Sequence, residues 1–201
     1  MGRFGRAVIA AVALSALSLT PTAVYAHDQG VSGETGVALL GSEESSMGWA
    51  HYDGDLTDVS TSDDVFEGAR ATAVMIGMEG SSYFRLRISG IKESASGKEY
   101  PAHLHEGPCV GGDGAAAGGH YNTQKEGQLP SPWLVNDQTE VHLDFEVSSD
   151  GYARTTVNVP FVPKPGVRSI VFHTDEAPPA GSSPAHLACL PLTIKVFAGA
   201  R

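Results

Sequence analysis

The sequence predicts an all-β fold, a Greek-key β-barrel or sandwich of the immunoglobulin-like kind with long loops. Two observations support this fold class. The 201 residues include 24 glycines and 12 prolines, a content typical of chains with many turns and few long helices. Short segments that alternate apolar and polar residues recur along the chain, with turn residues between them. This pattern is typical of antiparallel strands that bury one face.

The clearest alternation lies in residues 140–147, which we expect to form a half-buried strand. Every second residue from Val141 onwards is apolar and faces inward, and the polar residues between them, including Glu140 and His142, face solvent. A turn is predicted at 149–151, and residues 152–159 are predicted to be the return strand. Further strands are predicted at residues 69–78, 83–88, 168–173 and 192–197.

The first 26 residues have the pattern of a signal peptide. Arg3 and Arg6 precede an apolar run, residues 7–19, that is too short to span a membrane. Val24-Tyr25-Ala26 matches a small-x-small cleavage signal, so we expect cleavage after Ala26. The mature protein is then expected to be secreted, periplasmic or in the cell envelope. It would begin with a flexible polar segment, 27–35, followed by one domain at 36–201.

The charge of the mature chain excludes two classes of partner. Loss of the two leader arginines lowers the basic residues from 13 to 11 against 23 acidic ones, a net charge of −12. A protein this acidic is repelled by nucleic acids and by anionic membranes. We therefore expect no nucleic-acid partner, and no membrane association after signal cleavage.

Residues 100–122, YPAHLHEGPCVGGDGAAAGGHYN, indicate a metal site. His103 and His105 are two residues apart, and side chains on a strand alternate between faces, so both imidazoles face the same side about 7 Å apart at the backbone. His120 follows a loop rich in glycine and alanine, and His173 is a fourth candidate. Four imidazoles suit copper or zinc.

The chain has two cysteines, Cys109 and Cys189. In an exported protein they most simply form one disulfide, which would close a loop of about 80 residues and hold the histidine-bearing loop in place. A cysteine–histidine metal site is the alternative.

Four sequence blocks, HLHEGPC, AAAGGHYN, RSIVFHT and HLACLPL, resemble the copper/zinc superoxide dismutase family, in the order in which that family carries them. The similarity covers roughly residues 70 to 197 and is closer to the bacterial branch. It implies a Greek-key β-barrel, a Cys109–Cys189 disulfide and superoxide as substrate. It also implies four copper ligands, His103, His105, His120 and His173.

The chain departs from the family pattern where zinc would bind. The family's other zinc ligands follow the bridging histidine, whereas residues 121–137 contain no histidine. The next candidate, His142, is interpreted as a solvated surface residue. We therefore expect copper without zinc, with His120 binding copper alone. The loop between His173 and Cys189, where the family carries a guidance loop, is also short.

A further departure concerns substrate guidance. His186 stands three residues before Cys189, where the family has an arginine that guides superoxide to copper. Arginine is always charged, but histidine is only partly charged at pH 7, so capture of the anion should be slower. The resemblance implies catalytic roles for His120 and His186.

The expected function is a secreted copper-dependent superoxide dismutase that makes oxygen and hydrogen peroxide. The alternatives are a non-catalytic copper-binding or copper-handling protein, and a metal-free interaction module on the same fold.

Three other residues have ordinary interpretations beside functional ones. His51 lies in an acidic stretch that we interpret as a solvated loop. His27 would be the mature N-terminus, where an amine and an imidazole can chelate copper, although a tail residue is the simpler interpretation. Glu106 follows His105 and would either orient a ligand or be a carboxylate on the loop surface.

Overall fold

The computed structural model of the chain describes residues 48–60, 65–174 and 185–195, which lie within one compact unit spanning 33–201. These described ranges contain ten strands, and the all-β prediction is confirmed. The strands are β1 (Gly48–Asp55), β2 (Thr57–Asp58), β3 (Arg70–Met78), β4 (Ser81–Ser89), β5 (Glu99–Tyr100), β6 (Ala102–His105), β7 (Phe145–Glu146), β8 (Ala153–Val159), β9 (Gly166–His173) and β10 (His186–Ile194). Helical structure in the same ranges comprises α1 (Thr123–Glu126) and two 3₁₀ turns, Glu93–Ala95 and Gly114–Ala117.

The described strands form two main antiparallel sheets. The first sheet has the order β1-β3-β4-β8, and the second has the order β2-β10-β9-β6. Strands β5 and β7 pair separately. The architecture is an all-β sandwich, and the Greek-key connectivity stays a prediction. Among the described residues, no helix is both long enough and apolar enough to cross a membrane.

The core lies between the two sheets. Phe84, Leu86 and Ile88 on β4 are buried, as their alternation predicts, and they join one cluster with buried residues of β6, β9 and β10. Burying a side chain of this size contributes about 1.5–3 kcal/mol. The Tyr52 hydroxyl on β1 donates a hydrogen bond to the Thr193 carbonyl on β10 at 3.0 Å, which joins the two sheets.

Residues 140–147 follow the predicted alternation but are not one strand. Val141, Leu143 and Val147 are buried, yet only Phe145–Glu146 forms a strand, and it pairs with β5. The predicted strand at 152–159 is confirmed as β8, but it is not a return strand, because it pairs with β4 in the first sheet rather than with the segment before it. Sequence patterning identifies the inward face but not the partner strand.

Strand β1 corrects the interpretation of His51 as a residue of a solvated loop. Ala50 and Tyr52 are buried on the inner face, and His51 and Asp53 are exposed on the outer face. The inward-facing position after Tyr52 is Gly54, which has no apolar side chain and stands between the outward-facing Asp53 and Asp55. The alternation of apolar and polar residues in this strand is therefore hard to recognise in the sequence.

Several predictions concern residues outside the described ranges. These are the signal peptide 1–26, the flexible segment 27–35, His27, and most of the loop between His173 and Cys189. The predicted strand at 192–197 is described as far as residue 195. There it continues β10, which begins earlier than predicted, at His186.

Candidate metal centre

Three of the predicted ligands lie on the outer face of the second sheet. Ala102 and Leu104 on β6 belong to the core, so the alternation of the strand places His103 and His105 on the opposite side. His173 ends the neighbouring strand β9 and faces the same way, because Phe172 before it is in the core. Strand periodicity therefore brings three imidazoles to one surface.

The fourth imidazole arrives through a loop that leaves β6 and returns to it. Residues 106–119 cover the outer face of the sheet, after which His120 forms a bridge with His105. The backbone N–H of Tyr121 then donates to the Leu104 carbonyl at 2.7 Å. This return places His120 over the three strand histidines.

The four predicted imidazoles converge, as we expected. Potential ligand atoms of His103, His105, His120 and His173 all lie within 4.8 Å of one another. The Nε2 atoms of His105 and His173 are 3.2 Å apart, and the His103 and His120 ring centroids are 4.1 Å apart. His105 and His173 are buried, whereas His103 and His120 are partly exposed. The cluster is thus rigid on the sheet side and open towards solvent.

Hydrogen bonds leave nitrogen lone pairs available to a metal. His105 Nδ1–H donates to the Gly118 carbonyl at 3.0 Å, and His120 Nδ1–H donates to Glu140 Oε2 at 2.9 Å. Both Nε2 atoms therefore carry a lone pair rather than a proton, and that of His105 faces His173 Nε2 inside the cluster. His103 Nδ1 is buried and has no hydrogen-bond partner among the described residues. Coordination would satisfy that atom, so this set of nitrogen donors fits a bound metal ion.

The cluster keeps the imidazoles of His103 and His105 in the neutral form that binds metals. Burial, together with the neighbouring histidines, lowers the pKa of His103 to about 2. Burial also lowers the pKa of His105 to about 3, although its hydrogen bond to Gly118 opposes the shift. Protons therefore compete poorly with a metal ion at these two nitrogens near neutral pH.

Glu140 is the functional residue that the sequence analysis missed. It was predicted to face solvent, but it is 3% exposed. Its carboxylate accepts hydrogen bonds from His120, from Asn122 Nδ2 at 2.9 Å and from His142 Nε2 at 3.4 Å. Burial alone would raise the pKa of Glu140, but these hydrogen bonds lower it below its usual range. Glu140 is the first residue of the alternating run, but the structure forms a strand only at Phe145–Glu146, so strand alternation does not determine where Glu140 points.

His142 is half-buried, which corrects its interpretation as a solvated surface residue. It forms a bridge with His103, and its ring lies between Glu140 and Asp137, with Nδ1 3.0 Å from Asp137 Oδ1. The hydrogen bond with Glu140 raises the pKa of His142. The group of potential metal ligands found among the described residues does not include His142.

The structure places His186 beside the cluster. Its ring centroid is 4.9 Å from that of His173 and 5.0 Å from that of His105. His186 Nδ1–H donates to the Gly114 carbonyl at 2.7 Å. A Cβ atom on Gly114 would lie only 3.0 Å from His186 Cβ, so glycine allows this close approach.

The Cys109–Cys189 disulfide is present, with its Cα atoms 5.7 Å apart. It fastens the loop 106–119 to β10, beside a small cluster of buried residues formed by Val59, Ala117 and Val171 with Cys189. Gly107 lets the two ends of this loop touch, because a Cβ there would lie 2.3 Å from the Ala116 carbonyl oxygen. The loop that carries His120 is thus tied at both ends.

Among the described residues, Glu106 has no recorded hydrogen bond to any of the four histidines. Its carboxylate forms an ion pair with Lys125, and its carbonyl accepts a hydrogen bond from Arg168 at 2.9 Å. The Glu106 side chain is half-buried and its Oε1 atom is buried, so it is not a solvated surface carboxylate; these two contacts hold it at the base of the loop.

No family model matches this chain, and no curated protein matches it. The function is therefore argued from the site.

The depressed pKa values predict acid destabilisation of the metal-free protein. The unfolded chain protonates His103 and His105 near pH 6.5, but the folded protein leaves them neutral until about pH 3. Stability is therefore lost as pH falls below 6.5, by up to about 1.4 kcal/mol per pH unit for each histidine. Thermal unfolding at pH 7 and pH 5 measures this loss. His51→Gln should keep the wild-type slope, and equal melting temperatures at both pH values would contradict the prediction.

Proposed function

We propose that this chain is an exported copper-dependent superoxide dismutase that works without zinc. The observation that carries the proposal is the convergence of four imidazoles within 4.8 Å, two of them with their Nδ1 protons held by acceptors. The four sequence blocks that resemble the copper/zinc superoxide dismutase family also support it.

The chemistry of the donors favours copper. Four imidazole nitrogens suit copper, whereas magnesium and calcium prefer oxygen ligands. A zinc ion shared through His120 would need the Nδ1 atom, but that atom donates to Glu140. Glu140 thus holds the position on His120 that a second metal would take, which supports one copper and no tightly bound zinc.

The proposed reaction converts two superoxide anions and two protons into one oxygen and one hydrogen peroxide. Bound copper would supply the one-electron exchange, taking an electron from one superoxide and giving it to another. The protein contributes positioning and protons. His105 and His173 are held in the buried part of the site. His120 is partly exposed, and its Nε2 would hold copper or, when it is not bound to copper, carry a proton for the peroxide product, but not both at once. The Glu140 carboxylate, which accepts a hydrogen bond from His120 Nδ1, would keep that imidazole oriented in either role.

Capture of the anion is the weaker part of the proposed activity. His186 lies beside His105 and His173 and stands at the position that resembles the family's guidance residue. A chain with a net charge of −10 repels superoxide at long range. This observation favours the second candidate, a copper-handling protein without catalysis.

Metal analysis combined with a superoxide decay assay tests the proposal. The mature protein, loaded with excess copper and zinc and then desalted, should retain about one copper and no zinc. It should consume superoxide faster than the same concentration of free copper. Copper binding without activity would support the copper-handling candidate. Equimolar zinc would contradict the zinc-free proposal and would point to His142 and its acidic neighbours.

Replacing Glu140 by glutamine should lower copper affinity or activity by roughly 10–100-fold. Glutamine preserves the shape of the side chain but removes the charge that supports His120. Glu146→Gln changes an exposed carboxylate six residues away in the chain and should behave like wild type. Competition with a copper chelator, followed by the decay assay, measures both quantities. Wild-type values for Glu140→Gln would exclude a role for its charge.

Replacing His186 by arginine should raise the rate of superoxide consumption at neutral pH. Arginine carries a permanent charge beside the cluster and should attract the anion. Copper affinity should stay nearly unchanged, because His186 is not one of the four proposed ligands. The gain should shrink as salt is raised, since screening removes long-range attraction. A gain in rate that does not depend on salt concentration would argue against electrostatic guidance of superoxide by residue 186.

A further inference from the structure

The outer face of the first sheet carries a cluster of arginines on the far side of the core from the metal centre. Arg85 and Arg87 lie on β4, and Arg154 lies on β8, directly opposite Arg87. Arg85 is half-buried, and the other two are exposed. The alternation of β4 puts its two arginines on the same face, because Phe84, Leu86 and Ile88 face the core. We call these three residues the arginine cluster.

The arginine cluster lacks the acidic partners that neutralise another arginine on the same face. Arg70 on β3 contacts Asp53 at 2.9 Å and Asp55 at 2.7 Å. In the described part of the chain, no residue of the arginine cluster forms an ion pair. The chain has 23 acidic residues against 13 basic ones, so an unpaired group of arginines runs against its overall composition.

This arrangement costs stability in the absence of a ligand. Like charges on directly opposite residues of an antiparallel pair repel, and Arg87 and Arg154 are such a pair. Replacing either would relieve the repulsion, and no ion pair among the described residues offsets it. A negatively charged ligand bound between the arginines would replace this repulsion with a net attraction.

We propose that the arginine cluster binds a tetrahedral dianion, namely a phosphate or sulfate group. Directly opposite residues have Cβ atoms about 5 Å apart, and residues two apart on a strand are about 7 Å apart, so three long side chains can reach one group. The guanidinium fork matches the oxygens of phosphate in a bidentate manner. Thr156 lies opposite Arg85 on β8, which adds a hydroxyl beside that arginine. The hydroxyl of Thr72, opposite Arg87 on β3, already donates to Asp53 and is not counted in the site.

The size of the arginine cluster and the charge around it favour a single small group. Nucleic acids and anionic membranes engage more cationic residues than the three present here, and both are repelled by a net charge of −10. A phosphate or sulfate group on a small soluble molecule needs only the local charges. This inference does not rest on the proposed dismutase activity.

Titration calorimetry with inorganic phosphate, inorganic sulfate and acetate, on the copper-loaded protein, tests the site. Phosphate and sulfate should bind at low salt, and acetate should bind at least about tenfold more weakly. Arg87→Gln and Arg154→Gln should each weaken phosphate binding by about tenfold, the size of one lost charge-assisted contact. Arg70→Gln, the matched control on the same face, should leave phosphate affinity unchanged.

Thermal unfolding separates a binding role from a structural one. Without phosphate, Arg154→Gln should melt at the wild-type temperature or above it, because a repulsion is removed. Phosphate should raise the melting temperature of wild type and of Arg70→Gln more than that of Arg154→Gln. No binding at millimolar phosphate, equal losses in Arg70→Gln and Arg154→Gln, or a lower melting temperature of ligand-free Arg154→Gln would each overturn the proposal.

Discussion

Replacing His105 by glutamine is expected to remove tightly bound copper and, with it, all superoxide consumption above the level of free copper. His105 is 1% exposed, and its Nε2 lies 3.2 Å from that of His173 in the buried part of the cluster. A glutamine side chain replaces this nitrogen donor with an amide, which is a poor copper ligand. The measurements are copper content after dialysis against a chelator and the rate of superoxide decay.

The matched control for this variant is His51→Gln, which changes an exposed histidine on the outer face of β1. It should retain full copper content and the wild-type rate. Circular dichroism and thermal unfolding of both metal-free variants show whether the fold is preserved. A folded His105→Gln protein that keeps stoichiometric copper would contradict the four-histidine centre, and one that keeps activity without copper would contradict the dismutase proposal.

Removing the disulfide by the double substitution Cys109→Ala and Cys189→Ala should lower the free energy of unfolding by about 4 kcal/mol. The bridge joins residues 80 apart in the sequence, and the chain-entropy model assigns about this value to a loop of that length. Alanine is preferable to serine because Cys189 is fully buried and a hydroxyl there would lack a partner. Denaturant unfolding of the metal-free protein measures the loss.

The same variant should also bind copper less tightly. The bridge fastens the loop 106–119 to β10, and that loop brings His120 back to β6. Chelator competition should therefore show weaker copper binding in the double variant than in wild type. The control is Cys-intact protein treated with a reductant, which should approach the behaviour of the variant. Unchanged copper affinity would mean that the hydrogen bonds of the loop are sufficient to position His120.

Local pattern predicted those parts of the fold that depend on periodicity alone. The alternation in β4 and the His-x-His spacing in β6 each identify a face, because successive side chains on a strand point in opposite directions. Both were confirmed by burial of Phe84 and Leu104 on the inner face. The periodicity of a strand does not identify the strand with which it pairs. For this reason the sequence predicts the preceding segment, rather than β4, as the partner of β8. Strand β1 is not predicted at all, because the acidic residues of its outer face resemble a loop.

Residue patterns along the chain predict the all-β class, the four histidines and the two cysteines that meet. How these groups are supported depends on contacts that form only in the folded protein. Glu140 is 20 residues from His120 in the chain, and its burial depends on hydrogen bonds with Asn122 and His142 that spacing does not reveal. The same holds for the arginine cluster, since the opposition of Arg87 and Arg154 comes from the register between β4 and β8. Contacts between distant segments are set by how whole sheets pack, and no local window of sequence carries that information.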